Sequence, residues 1–151
     1  MTLFRSFAVS LVGALVLACS SDGVIGPSSR FDHAAATFAC GPADGPALAI
    51  YVSQYPMTGG DPPGAFVRIY VTGTVDEIVG KMWPISNGSN AAAWFHPDGN
   101  NYELATGGYV MINSGSAGHP LDGSVDLQFP NAGHLQRPFH ANWIPNVILC
   151  G

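Results

Sequence analysis

LDGSVDLQFPNAGHLQRPFHANW, residues 121–143, is the stretch that decides the fold. Val125, Leu127 and Phe129 alternate with polar residues, which is the period of a strand that buries one face. The chain then meets Pro130-Asn131-Ala132-Gly133, a run of turn-forming residues, and returns with a second alternating segment. The stretch therefore predicts an antiparallel β-hairpin.

Further strands are predicted on both sides of this hairpin. Residues 48–53 and 66–72 alternate between aliphatic side chains and other residues, and a Gly/Pro-rich turn separates them. Residues 92–96 and 102–105 flank Pro97-Asp98-Gly99-Asn100, so they predict a hairpin, and residues 109–113 continue the meander. The last apolar segment is 147–149.

The sequence after the N-terminal segment has almost no helical pattern. Thr74 and Glu77 have capping-box spacing and predict a single helical turn before Gly80. The 19 Gly and 12 Pro are scattered between apolar runs, as expected for many short strands and many turns. We predict an all-β fold, either an antiparallel β-sandwich or a strongly curved, partly closed barrel.

The N-terminal segment has the pattern of an export signal. Arg5 precedes the apolar run Phe7–Leu17, which is too short to span a bilayer comfortably. The run ends in Val16-Leu17-Ala18-Cys19, which resembles the lipobox of bacterial lipoproteins. The resemblance implies cleavage after Ala18, acylation of Cys19 by diacylglyceryl and palmitate, and attachment to a membrane of the cell envelope. Since Ser20 is not aspartate, it also implies the outer membrane where two membranes exist.

Two other interpretations of the N-terminal segment remain open. An ordinary secretory signal can contain a cysteine by chance, and the apolar run can be a short membrane helix. With the lipoprotein reading, the chain divides into a signal peptide (1–18), a lipidated flexible tether (19–36) and a single β domain (37–151).

The two remaining cysteines bracket the predicted domain. In an exported protein Cys40 and Cys150 are best interpreted as one disulfide, because the compartment is oxidising and their spacing does not suit a CxxC redox pair. Closing so long a loop stabilises a fold by up to about 4.7 kcal/mol in the chain-entropy model. Free thiols are the alternative.

The charge balance excludes one class of partner. Five Lys or Arg stand against ten Asp or Glu, and removal of Arg5 with the leader leaves four against ten. No cluster of basic residues remains to neutralise phosphates, so nucleic acid is not expected as a partner. The expected partners are the membrane, through the lipid, and an envelope protein or a glycan.

Four histidines in the predicted domain are candidate metal ligands or catalytic residues: His96, His119, His134 and His140. His134 and His140 have the parity opposite to the apolar residues of their strand, so both are predicted to face solvent. They would lie about 20 Å apart on an extended strand, too far to bind one ion directly. We interpret the four as surface histidines and predict no metal or other cofactor. A metal-dependent or hydrolytic enzyme remains the alternative.

Three tryptophans suggest glycan binding as a different function. Trp83, Trp94 and Trp143 could form an aromatic platform for a glycan, as in a carbohydrate-binding module, but aromatic residues are also ordinary strand residues that pack in a core or at its rim. The sequence contains no GxSxG, HExxH, phosphate-loop or GxGxxG motif, so a noncatalytic binding or structural domain is favoured.

A looser resemblance concerns the last third of the chain. Residues 107–112, 121–127 and 135–141 resemble the final strands of small lipoprotein domains of bacteria, in which a GxF motif often begins the last segment. Arg137-Pro138-Phe139 departs from that motif here. The resemblance implies a fold and a cellular location and no activity.

Overall fold

The computed structural model describes residues 30–41, 44–98 and 100–145. This part of the chain contains nine strands and one short helix. The elements are β1 (His33–Cys40), β2 (Pro46–Ser53), β3 (Phe66–Thr72), α1 (Val75–Ile78), β4 (Lys81–Pro84), β5 (Ala91–His96), β6 (Glu103–Leu104), β7 (Gly107–Ser114), β8 (Leu121–Phe129) and β9 (Gly133–Trp143).

The nine strands form one sheet in the order β4-β7-β8-β9-β1-β2-β3-β5-β6. The sheet curls around its buried face, so the prediction of an all-β fold is confirmed, and the curved, partly closed arrangement describes it better than two separate sheets do. Neighbouring strands are antiparallel with one exception, since β1 and β9 run parallel. The first and last described strands therefore meet in the middle of the sheet.

The predicted hairpin is β8 and β9. Their register runs without interruption from Leu121 opposite Ala141 to Phe129 opposite Gly133. Gly133 has a φ of 103°, a value that favours glycine, so the sequence can turn sharply at this point. The hairpin predicted around residues 97–100 is confirmed as β5 with β6, and the two strands predicted at 48–53 and 66–72 are present and pair as β2 and β3.

The core lies on the inner face of the curled sheet. Alternate residues of each strand point inward, as period-two patterning requires, and most of these side chains are fully buried. Phe31 precedes β1 and is 1% exposed, because its ring packs against Phe95 inside the curl. The largest buried side chains of this core include Phe31, Leu48, Ile50, Ile69, Ile78, Ile112, Leu121 and Leu127. Phe66 is also fully buried, in a second cluster on the opposite face with Ala39, Ala47, Ala49 and Tyr51.

The folded domain begins earlier in the chain than the sequence predicts. The boundary predicted from composition lay at residue 37, whereas β1 begins at His33 and the buried Phe31 precedes it. Residues 33–36 are small or polar and carry little periodic signal. They join the sheet because Ala34, Ala35 and Ala36 pair with β9 on one side and β2 on the other.

Hydrogen bonds beyond the ladders bring the sheet's two ends together. The backbone N–H of Ala105 donates to Ala93 at 2.9 Å, and that of Thr106 donates to Gln128 at 2.8 Å, so the chain after β6 links β5 to β8. The Glu103 carboxylate accepts hydrogen bonds from the backbone N–H groups of the β8–β9 turn. These bonds join β6, at one edge of the sheet, to β8 near the other edge and so stabilise the curled arrangement.

The helical turn predicted at Thr74 is also present. Thr74 and Glu77 form a capping box, and hydrogen bonds from Thr74 lower the pKa of the Glu77 carboxyl. Val75 and Ile78 on this turn are buried, so α1 contributes to the core between β3 and β4.

Candidate functional site

The outer face of β2, β3 and β5 carries a set of aromatic side chains around one cation. We call this set the outer aromatic face, and it consists of Tyr51, Phe66, Arg68, Tyr70, Trp94 and His96. β3 supplies Phe66, Arg68 and Tyr70, because these residues alternate with the inward-facing Val67, Ile69 and Val71.

Strand register places the other members beside them. Tyr51 on β2 and Trp94 on β5 are the Cα partners of Arg68 on its two sides. His96 is the partner of Phe66, and the two rings stack with centroids 4.5 Å apart. Cross-strand neighbours on one face are close enough for direct side-chain contact, so the face is continuous over three strands.

Arg68 occupies the centre of this face. Its guanidinium carbon lies 5.3 Å from the Tyr70 ring centroid and 6.0 Å from the Tyr51 ring centroid, within the range of a cation–π interaction. Tyr70 and Trp94 meet edge to face with centroids 5.6 Å apart. Burial raises the pKa of the Tyr51 phenol, and the charge of Arg68 opposes the rise.

A cavity of about 310 Å³ opens on the outer aromatic face. Arg68, Tyr70 and Trp94 line it together with Thr72 and Asn90, and with the small residues Cys40, Gly41, Ser89, Ala91 and Ala92. This volume falls at the lower end of the range of small-molecule sites, which combine apolar walls with a few polar groups.

A second, smaller cavity of about 170 Å³ is lined by Thr37, Tyr51 and Asp61 among others. The Thr37 hydroxyl is buried, and it has no hydrogen-bond partner within the described ranges. Asp61 lines this second cavity and not the one bordered by Trp94. Its Oδ1 nevertheless lies 3.5 Å from Nη1 of Arg68.

His96 belongs to the outer aromatic face and is half-buried against Phe66. Burial and the nearby charge of Arg68 lower its pKa from 6.5, while Asp61 acts in the opposite direction. The folded protein therefore binds a proton on His96 less tightly than the unfolded chain does. Acidification through pH 6.5 then favours the unfolded state, until the pH falls below the pKa of the folded form.

We expect His96→Phe, which keeps a ring against Phe66, to reduce the loss of stability on acidification. Denaturant unfolding at about pH 7.5 and about pH 5.5 gives the free energy of unfolding that is lost on acidification. The variant should lose less than the unmodified protein, by under about 1 kcal/mol, because the His96 ring is partly exposed and its charge is screened by solvent. His119→Ser, which removes a histidine from the exposed loop between β7 and β8, is the control. Equal losses in His96→Phe and the unmodified protein would contradict the assignment.

The other candidate histidines lie apart from this face. His134 and His140 are exposed on β9, as predicted, and each pairs with an aspartate of β8: Nε2 of His134 with Asp126 at 2.9 Å, and Nδ1 of His140 with Asp122 at 2.7 Å. Each of these pairs involves a single aspartate. Within the described residues no group of three or more His, Cys, Asp or Glu side chains is placed to hold a metal ion.

The structure separates the three tryptophans. Trp83 on β4 donates its indole N–H to the Ile78 carbonyl at 3.1 Å and packs against the core. Trp143 at the end of β9 meets Phe38 edge to face at 4.8 Å. The three tryptophans therefore do not form the platform that was considered as an alternative, and Trp94 alone belongs to the outer aromatic face.

Cys19 and Cys150 lie outside the described residues, so the lipidation and disulfide assignments remain predictions. Cys40 is the last residue of β1. Within the described ranges the chain forms no helix of the length and apolarity needed to cross a bilayer.

Sequence reasoning singled out Trp94 and His96 but missed Arg68 and Tyr70. The signal was present in the alternation of residues 66–72, where the residues opposite the aliphatic set are Phe, Arg, Tyr and Thr. Aromatic residues opposite the aliphatic set are unusual for a strand with one solvated face, which normally carries polar residues there.

Comparison with known proteins adds no assignment to these observations. No protein-family model, curated protein or solved structure matches this chain.

Proposed function

We propose that this protein is an exported lipoprotein, held to the cell envelope by acyl chains on Cys19, whose β domain binds a saccharide noncatalytically through the outer aromatic face. The observation that carries the binding proposal is the cavity bordered by Tyr70, Trp94 and Arg68. Aromatic rings present apolar surface to the C–H face of a sugar ring, while the guanidinium, Thr72 and Asn90 can hydrogen-bond to hydroxyl groups.

The anchor is supported by the lipobox-like Val16-Leu17-Ala18-Cys19 and by the spacing that follows it. Residues 20–29 separate Cys19 from Arg30, where the described structure begins. Ten residues span at most roughly 35 Å when extended. Such a tether would hold the domain close to the membrane surface, with the outer membrane as the site where two membranes exist.

The disulfide between Cys40 and Cys150 is part of the same proposal. Its support is the parallel pairing of β1 with β9, in which Ala36 is opposite Trp143 and the Ile144 N–H donates to the Ala36 carbonyl at 2.8 Å. The chain therefore leaves β9 beside β1 and in the direction of Cys40. Five residues separate Ile144 from Cys150, and three separate Ala36 from Cys40.

We expect Trp94→Ala to weaken saccharide binding at least tenfold, because it removes one ring of the cavity wall, a loss of about 1.4 kcal/mol or more. The full-length protein in detergent would be screened against an array of neutral and acidic oligosaccharides, and hits would be titrated by calorimetry. Trp94→Phe should retain part of the affinity.

Tyr102→Ala is the matched control, since Tyr102 is 68% exposed and is not among the residues that line the cavity. Thermal unfolding of each variant establishes that it is folded. The proposal fails if no oligosaccharide binds, or if Trp94→Ala and Tyr102→Ala bind with the affinity of the unmodified protein.

A further inference from the structure

The charge of the cavity on the outer aromatic face differs from that of the whole chain. The sequence has a formal net charge of −5, yet Arg68 is the only charged side chain among the described residues that line this cavity. An anionic ligand would be repelled by most of the protein and attracted at this point.

Arg68 also has hydrogen-bonding capacity to spare. A guanidinium carries five N–H donors, and its Nε is buried with no hydrogen-bond partner in the described part of the chain. Asp61 is its one ion-pair partner among those residues, at 3.5 Å, which is the limit of a hydrogen bond. The Asp61 side chain lines the other cavity, and the Tyr51 phenol also hydrogen-bonds to Arg68. The Arg68 side chain is still 30% exposed and borders the cavity of the outer aromatic face, so its exposed part can donate to a ligand there.

The geometry points to a saccharide that bears a carboxylate, a hexuronic acid, as the ligand of this cavity. The inference rests on the proposed function and names its substrate class. A planar guanidinium matches a carboxylate through two parallel N–H···O bonds, and a monoanion suits a site with a single cation. The rings of Tyr70 and Trp94 contact the sugar ring while Arg68 binds its carboxylate.

The test compares ligands that differ only in charge. Trimers of galacturonic, glucuronic and mannuronic acid are titrated into the full-length protein in detergent, each beside its methyl ester, which keeps the ring and hydroxyls and removes the charge. We expect at least one acid to bind about tenfold tighter than its ester, and this preference to decrease with salt.

Variants then assign the preference to one residue. Arg68→Gln should abolish the preference for the acid, and Asp61→Asn should increase it, because the competing carboxylate is gone. Arg137→Gln is the matched control, since it removes one positive charge from a guanidinium that pairs with Asp32 at 3.0 Å and does not line the cavity. It should keep the preference.

The outcomes separate this inference from the proposed function. If esters and acids bind equally, and Trp94→Ala weakens both, the cavity binds saccharides but the carboxylate assignment is wrong. If Arg137→Gln reduces the preference as much as Arg68→Gln does, net charge and not the cavity explains it, and the inference is again overturned. If no acid and no neutral oligosaccharide binds, both proposals fail.

Discussion

Gly108→Ala is expected to remove a large part of the protein's stability. Gly108 lies in β7 with a φ of 112°, a conformation that L side chains rarely adopt. A Cβ at this position would overlap the carbonyl oxygen of Asp126 on β8. That oxygen belongs to the backbone of β8, which is paired with β7 on one side and β9 on the other, so it cannot move aside as a flexible side chain could.

The expected cost is at least about 4 kcal/mol, because backbone strain and displacement of the β7–β8 pairing add together. A small domain is stable by about 5–15 kcal/mol in total. Circular dichroism during thermal unfolding measures the effect, with a lower midpoint or no cooperative transition as the expected result.

The adjacent Gly107→Ala provides the control. The nearest atom to a Cβ at Gly107 is Oε1 of Gln128 at 4.0 Å, which is ordinary contact. This variant removes a glycine from the same strand and should unfold close to the unmodified protein. If Gly108→Ala folds with unchanged stability, the close approach of β7 to β8 is wrong.

Cys19→Ser is expected to convert a membrane-bound protein into one that is released without detergent. Under the proposed function, the thioether at Cys19 carries the acyl chains that hold the domain to the leaflet, and each buried methylene contributes about 0.8 kcal/mol. Serine cannot form the thioether. The change should therefore be nearly complete.

Labelling with a radioactive fatty acid, followed by fractionation of the native host, measures the change. The unmodified protein should carry the label and remain with the membranes, whereas Cys19→Ser should carry none. Ser20→Ala leaves the cysteine in place and should behave like the unmodified protein. Persistent labelling of Cys19→Ser, or an intact unacylated Met1 on the unmodified protein, would refute the lipoprotein assignment.

Most strands could be predicted from the sequence, because alternation is a local signal. Residues 121–143 alternate on both sides of a turn, so β8, β9 and the turn between them followed directly. Residues 33–36, the first half of β1, fall in the predicted tether because Ala34, Ala35 and Ala36 have no alternating pattern. That strand lies between β9 and β2, and its position depends on partners distant in the sequence.

The candidate site could be predicted only in part for the same reason. The exposure of His134 and His140 followed from parity within a single strand, and it was predicted correctly. Which tryptophan lies beside which cation depends on the register between strands. Trp94 meets Arg68 because β3 pairs with β5, and nothing local to either strand specifies that pairing.

The sequence by itself determined which residues of the alternating strands face the core and where the main hairpins turn. The tertiary structure decided the order of the strands, the curl of the sheet and the assembly of Arg68, Tyr70 and Trp94 around one cavity. The physical reason is the distance along the chain over which each effect acts. Side-chain alternation and turn chemistry depend on a few neighbouring residues, whereas strand pairing is selected by burial of the whole inner face.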